Sequence, residues 1–213
     1  MSDLLLSLNE ARVLASLFEK SVITPQYYPM TQNATMLAAN QKNSRSPVMS
    51  LTEGDTGAAL IALEMQRLVK RDESSPRAVK WRQQFQHQML LKPAGVAVLA
   101  TLMLRGPQTL AELRANASVL NGPADIDGVQ AALDDLADRA QPLVKLLPRA
   151  SGQSTVRYAH LLCGEAAIPV MADAPAASSS SSGGSSNATL IAQLVERIEA
   201  LEARVVELEK LVS

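Results

Sequence analysis

An internal repeat constrains this chain more than any other feature. Val13-Leu14-Ala15-Ser16-Leu17 recurs as Val98-Leu99-Ala100-Thr101-Leu102, an offset of 85, and the same offset pairs Leu6 with Leu91, Lys20 with Arg105 and Thr24 with Thr109. Farther on, Leu68-Val69-Lys70 recurs as Leu143-Val144-Lys145, and Val79-Lys80-Trp81 as Val156-Arg157-Tyr158. The matches keep their order in both halves. Two tandem domains of roughly 80 residues are therefore expected, rather than one domain covering both halves.

Each copy predicts the same elements. In the second, Val98, Leu99, Leu102 and Met103 mark a first helix stopped at Gly106-Pro107. Thr109 with Glu112 forms a capping box that opens a second helix carrying Leu110 and Leu113. Val129, Ala132, Leu133 and Leu136 follow the i, i+3, i+4, i+7 spacing of a third helix. A strand over Leu143–Leu147 and a turn at Ser151-Gly152 lead to a closing strand with Val156, Tyr158, His160 and Leu162 on one face. The first copy predicts helices near 8–20, 31–41 and 52–67, strands at 68–71 and 79–86, and a turn at Ser74-Ser75-Pro76. Three helices and a hairpin are the winged helix-turn-helix order. The expected fold class is mainly α with small β-hairpins (α+β). Aromatics at 3% agree, because the core must then be built from Leu, Val, Ile, Ala and Met.

Composition changes near residue 165. Residues 165–187 are rich in Ala, Ser, Gly and Pro, including Ser178 to Ser182 and Gly183-Gly184, and read as a flexible linker. The expected organisation is a first winged-helix domain over 1–88, a second over 89–164, that linker, and a helix over 188–213. In the helix, Ile191, Ile198, Val205 and Val212 fall at a, and Leu194, Leu201 and Leu208 at d. Arg197 and Arg204 fall at g, with Glu202 and Glu209 at e. β-Branched residues at a, Leu at d and complementary e/g charges predict a parallel two-stranded coiled coil, so the first expected partner is a second copy of the chain. The competing reading is an amphipathic helix folded back on its own chain.

The segment Asn40-Gln41-Lys42-Asn43-Ser44-Arg45-Ser46-Pro47-Val48-Met49 carries a resemblance, together with Leu8-Asn9-Glu10-Ala11-Arg12-Val13, Glu19-Lys20, Thr24-Pro25 and Tyr28-Pro29. The chain resembles the YceH-like family of uncharacterised bacterial proteins from about residue 6 to residue 164 and in the C-terminal coil. The resemblance implies two winged-helix domains in tandem and brings no catalytic residues with it. It also implies a glycine-containing first wing with a basic residue just before the last apolar position. Here the turn is Ser74-Ser75-Pro76 and that position is Gln84, which weakens a wing-to-phosphate role.

Charge narrows the function classes. Twenty basic and 21 acidic residues give a net charge of −1, which excludes a strongly basic nucleic-acid binder at the level of the whole chain. Residues 1–90 hold ten basic and eight acidic groups, residues 91–165 seven of each. The candidate contacts for double-stranded DNA or a protein partner lie in the first copy: Lys42 and Arg45 before the third helix, Lys70 and Arg71 after it, and Arg77, Lys80 and Arg82 around the wing. Lys42 and Arg45 have a second reading, in which the segment before Pro47 bonds its own backbone and orders a tight turn. The third helices open with acids, Thr52-Glu53-Gly54-Asp55 and Asp125-Ile126-Asp127, which suit a helix N-terminus but repel phosphates.

Catalytic, cofactor and metal sites are not expected. His87 and His160 lie in separate copies, and His160 and Cys163 are expected on opposite faces of a strand. No cluster offers the four ligands of a zinc site, and no Gly-rich phosphate loop or nucleophile elbow is present. Cys163 is expected as a small buried residue, and Trp81 and Tyr158 as core-facing strand residues. The uncharged apolar run Pro93–Leu104 is twelve residues, short of the roughly 20 that span a membrane, and the acidic Met1-Ser2-Asp3 start lacks a signal peptide's basic region. The leading expectation is a non-enzymatic, cytoplasmic, dimeric regulator that binds DNA weakly through its first domain. Its alternative is a protein-interaction scaffold that keeps the fold without binding DNA.

Overall fold

The computed structural model describes residues 4–72, 78–149 and 155–168. Arg77, the 165–187 linker beyond residue 168 and every coiled-coil position from Ile191 to Val212 lie outside them.

The first copy begins with α1 (Leu8–Ile23). Ser7 and Glu10 cap it reciprocally, each side chain bonding the other's backbone N–H. A short strand β1 (Met30–Thr31) leads into α2 (Gln32–Ala39), and α3 (Glu53–Met65) follows under a Thr52/Asp55 capping box. Strands β2 (Val69–Asp72) and β3 (Lys80–Gln83) pair antiparallel, with Val69 opposite Gln83. β1 adds to the far edge of β3, which no sequence signal announced, and gives the sheet order β1-β3-β2. The closing strand is also shorter than the expected 79–86. Beyond Gln83 the chain turns into α4 (Phe85–Gln88), where the Gln83 side chain accepts from Phe85 N and the Phe85 ring is fully buried.

The second copy repeats the order: α5 (Pro93–Arg105), α6 (Leu110–Ser118), α7 (Ile126–Ala137), β4 (Val144–Leu147) and β5 (Arg157–His160). The expected Thr109/Glu112 box caps α6, and Asp125 caps α7 by accepting from Gly128 N. β4 and β5 pair with Val144 opposite His160. Tyr158 therefore faces Leu146 as Trp81 faces Arg71, and the strand match seen in the sequence is a match of register. The result is a helix-dominated α+β structure with two small antiparallel sheets.

The described residues fall in one compact unit with one hydrophobic core. Its centre is α1 against α5. Ala11–Glu19 and Gly95–Leu104 are buried without interruption, which requires helices enclosed on every side. The Val-Leu-Ala-Ser/Thr-Leu repeat sits in these two stretches, where small Ala15, Ser16, Ala100 and Thr101 occupy fully enclosed positions. α1 and α5 thus contribute to one shared core. Backbone bonds tie the copies further, from Leu6 N to Leu162 O (2.7 Å) and from Ser46 N to Leu104 O (2.9 Å). Among the described residues, no helix is long and apolar enough to cross a membrane.

Candidate functional site

The 40–51 segment, between α2 and α3, is held from both ends. Asn40 bonds both backbone groups of Leu51 at 2.8 Å, its Nδ2 donating to the carbonyl and its Oδ1 accepting from the amide. From within, Arg45 reaches under the loop. Its Nη1 and Nη2 donate to Glu19 Oε1 (3.0 Å) and Oε2 (2.6 Å), and Nη2 also donates to Ala38 O (2.9 Å) and Gln41 Oε1 (3.1 Å). The Arg45 side chain is 0% exposed, with its charge answered inside the protein. Arg12, also buried, donates to Pro47 O at 2.8 Å and to Ala39 O at 3.4 Å. Burial pushes the Arg12 pKa down to about 10, and the Arg45 charge adds to that shift. Burial alone would raise the Glu19 carboxyl, but the bonds and charge of Arg45, with Lys20 assisting, hold it below the usual carboxylate range.

This clamp leaves Gln41, Lys42, Asn43, Ser44 and Ser46 on the outside of the loop. Of the candidate contacts on the strands, Lys70 is exposed and Lys80 half-buried. Arg71 lies along the face of its own sheet, 5.2 Å over the Trp81 ring and paired with Glu64 at 3.0 Å, with its side chain 54% exposed. Arg82 pairs with Asp72 and lies 5.7 Å from the Tyr28 ring centroid. The Tyr28 hydroxyl accepts from Gln83 N (2.6 Å), and burial raises its pKa to about 12. Trp81 is buried and Tyr158 packs half-buried against the core. The arginines and the lysines of the first copy therefore part company: Arg45, Arg71 and Arg82 have internal partners, while Lys42, Lys70 and Lys80 have no ion-pair partner among the described residues.

The outward side of α3 carries Gly54, Ala58, Ile61 and Met65, with Ile61 51% and Met65 75% exposed. Its charged residues are Glu53, Asp55 and Glu64, and it holds no Lys or Arg. α7 exposes Asp127 and Asp134, and Asp138 is exposed at its C-cap. With this geometry in place, likeness to other proteins is decisive about kinship. The family model described as a protein of unknown function, DUF480, matches residues 6–153. The chain belongs to this family. A UPF0502 protein of Delftia acidovorans is 41% identical over 204 residues, covering 94% of this chain and 86% of the relative. Another, of Geobacter sulfurreducens, is 44% identical over 163 residues, covering 76% and 74%. A third, of Pelobacter propionicus, is 39% identical over 214 residues, covering 99% and 96%.

In the DUF480 core the strand expected to carry both His160 and Cys163 stops short of the cysteine. β5 ends at His160, and a turn closed by Gly164 N on Leu161 O (2.8 Å) places Cys163 beyond the strand, so strand alternation does not set its direction. His160 and Cys163 both line a cavity of about 30 Å3, too small for a substrate. Cys163 is half-buried rather than buried, and burial, with Glu10 nearby, pushes its thiol up to about 11, away from the reactive thiolate form. Among the described residues, no three His, Cys, Asp or Glu side chains are placed to hold a metal ion.

Proposed function

We propose that this chain is a tandem winged-helix module that docks onto a protein partner through the outer face of α3, and that it pairs with a second copy through residues 188–213. The observation that carries the reading is the α3 stripe of Ala58, Ile61 and Met65, exposed and apolar, with Glu53 and Asp55 in the first turn of the same helix and Glu64 paired with Arg71. A helix that reads base edges needs donors such as Arg, Lys, Asn or Gln at those positions. The charge pattern fits a partner whose apolar surface is rimmed by basic residues.

DNA binding is the second reading, supported by Lys42, Lys70 and Lys80, which remain available to phosphates. Three such contacts predict a log K against log salt slope near −2.7, at about −0.9 per contact. Fluorescence anisotropy of the full-length chain with a labelled random duplex separates the two. Absence of binding at low salt is expected; saturable binding whose slope falls on replacing the three lysines overturns the docking reading. A protein retained by the wild type but not by Ile61→Glu/Met65→Glu supports it, given unchanged melting. Sedimentation with and without residues 188–213 tests pairing; a monomer in both cases removes it.

A further inference from the structure

A cleft of about 500 Å3 opens between the 41–51 loop and the second copy. Sites for small molecules span roughly 300–1,000 Å3. Ser44 and Ser46 face it from the loop, Arg105 from the last turn of α5, Glu112 and Asn116 from α6, and Arg157 from β5, with Arg45 in its floor. The charges around it do not cancel. Arg45 is answered by Glu19, and Arg157 by Glu112 at 2.8 Å. Arg105 has no hydrogen-bond or ion-pair partner among the described residues. It is partly desolvated, and burial lowers its pKa while Glu19 and Arg45 act on it only at a distance. An unpaired guanidinium that lines a cleft offers its donors and charge to an anion.

Several of the acceptors around the cleft are already engaged, while Glu112 Oε1 meets only Arg157 Nη2, at 3.5 Å. At the end of α5, Thr101 O accepts from Gln108 Nε2 (3.2 Å), Leu102 O from Gly106 N (2.8 Å) and Leu104 O from Ser46 N (2.9 Å). Glu112 Oε2 accepts from Thr109 N (2.8 Å), Thr109 Oγ1 (3.0 Å) and Arg157 Nη1. Asn116 spends one amide hydrogen on Gln108 Oε1 (2.8 Å) and keeps the other. Arg157 spends Nη1 on Glu112 Oε2 and on Pro107 O (3.1 Å), so the donors left are the Arg105 fork, the remaining N–H groups of Arg157, one Asn116 N–H and two serine hydroxyls. Such a set suits a tetrahedral oxyanion with several acceptor oxygens better than a flat carboxylate with two.

We propose that this cleft binds a small phosphate-bearing anion, with Arg105 as its main counter-charge and Arg157, Asn116, Ser44 and Ser46 completing the grip. The inference is independent of what α3 docks. Occupancy would fasten the loop that carries Lys42 to the second copy, alongside the Ser46–Leu104 bond.

The test is calorimetric titration of the full-length chain with inorganic phosphate and phenyl phosphate, with acetate at matched ionic strength as the carboxylate probe. Saturable binding of both phosphates is expected, at least tenfold weaker in Arg105→Gln, partly retained in Arg105→Lys and unchanged in Arg114→Gln on the exposed side of α6. Phosphate should raise the melting temperature of the wild type and not of Arg105→Gln. In phosphate-free buffer, Arg105→Gln should melt no lower than the wild type, because it removes an uncompensated charge. Absence of phosphate binding, equal binding of acetate, or unaltered affinity in Arg105→Gln overturns the proposal. So does a lower melting temperature of that variant without phosphate, which would assign Arg105 to the fold.

Discussion

Arg45 lies side-on against Glu19, with Nη1–Oε1 at 3.0 Å and Nη2–Oε2 at 2.6 Å, although 26 residues separate them in the chain. The pair joins the α2–α3 loop to the central helix, so the basic group at the heart of the Asn40–Met49 motif is spent on architecture. Removing one partner strands the other charge inside. Arg45→Ala or Glu19→Gln should each cost about 3–5 kcal/mol in urea unfolding, whereas Arg45→Met with Glu19→Leu should recover most of that loss. Lys42→Ala, three residues away and exposed, should stay within about 0.5 kcal/mol. Equal effects at Lys42 and Arg45 would contradict this division of labour.

Acid should expose the same pair. The Glu19 carboxyl is held below its unfolded value, so its contribution to stability is present above about pH 4.5 and is lost as pH falls through the lower folded value. Unfolding midpoints recorded below pH 4.5 should drop more steeply for the wild type than for the Arg45→Met/Glu19→Leu double variant.

His160 gives a second, higher window. The residue is half-buried, its Nδ1 is sealed from solvent without a hydrogen-bond partner among the described residues, and burial lowers the pKa from 6.5 to about 4. Between those values the unfolded chain holds more protons than the folded one, so stability should fall as pH falls from 6.5 towards 4, by at most about 1.4 kcal/mol per unit. His160→Asn should flatten that slope; an unchanged slope would assign it to other groups.

Gly122 is where packing leaves no room. A Cβ there would sit 2.7 Å from Ala117 O and 2.9 Å from Ala97 Cβ, both held within helices. Gly122→Ala should cost about 1–3 kcal/mol, read as a lower melting temperature. Gly54→Ala, whose nearest contact is the Thr52 hydroxyl at 3.7 Å, should not destabilise.

Asn40→Ala removes two bonds to Leu51 at once and leaves a buried residue's N–H and C=O without partners. Each stranded group costs about 1–3 kcal/mol. The loss should appear in hydrogen exchange as faster opening of residues 41–51, with α5 and α7 protected as before.

The repeated three-helix-and-hairpin order was legible in the sequence, though β1 and α4 were not. Capping at Thr109 and Glu112, the apolar spacing from Val129 to Leu136 and the repeated Val-Leu-Ala motif are local signals, and local hydrogen bonding and periodicity suffice to place a helix. Even the hairpin register was legible, since Trp81 and Tyr158 occupy equivalent positions in their sheets. Which charges are buried follows from long-range packing alone. Arg45 and Lys42 are alike as letters in a loop, and nothing within a few residues of either reveals that Glu19 waits beneath one of them. The same holds for α1 against α5, which fuses the two copies into one core, and for Cys163, placed beyond the end of β5. Burial and ion pairing are made by residues distant in the chain, and neither composition nor spacing carries that information.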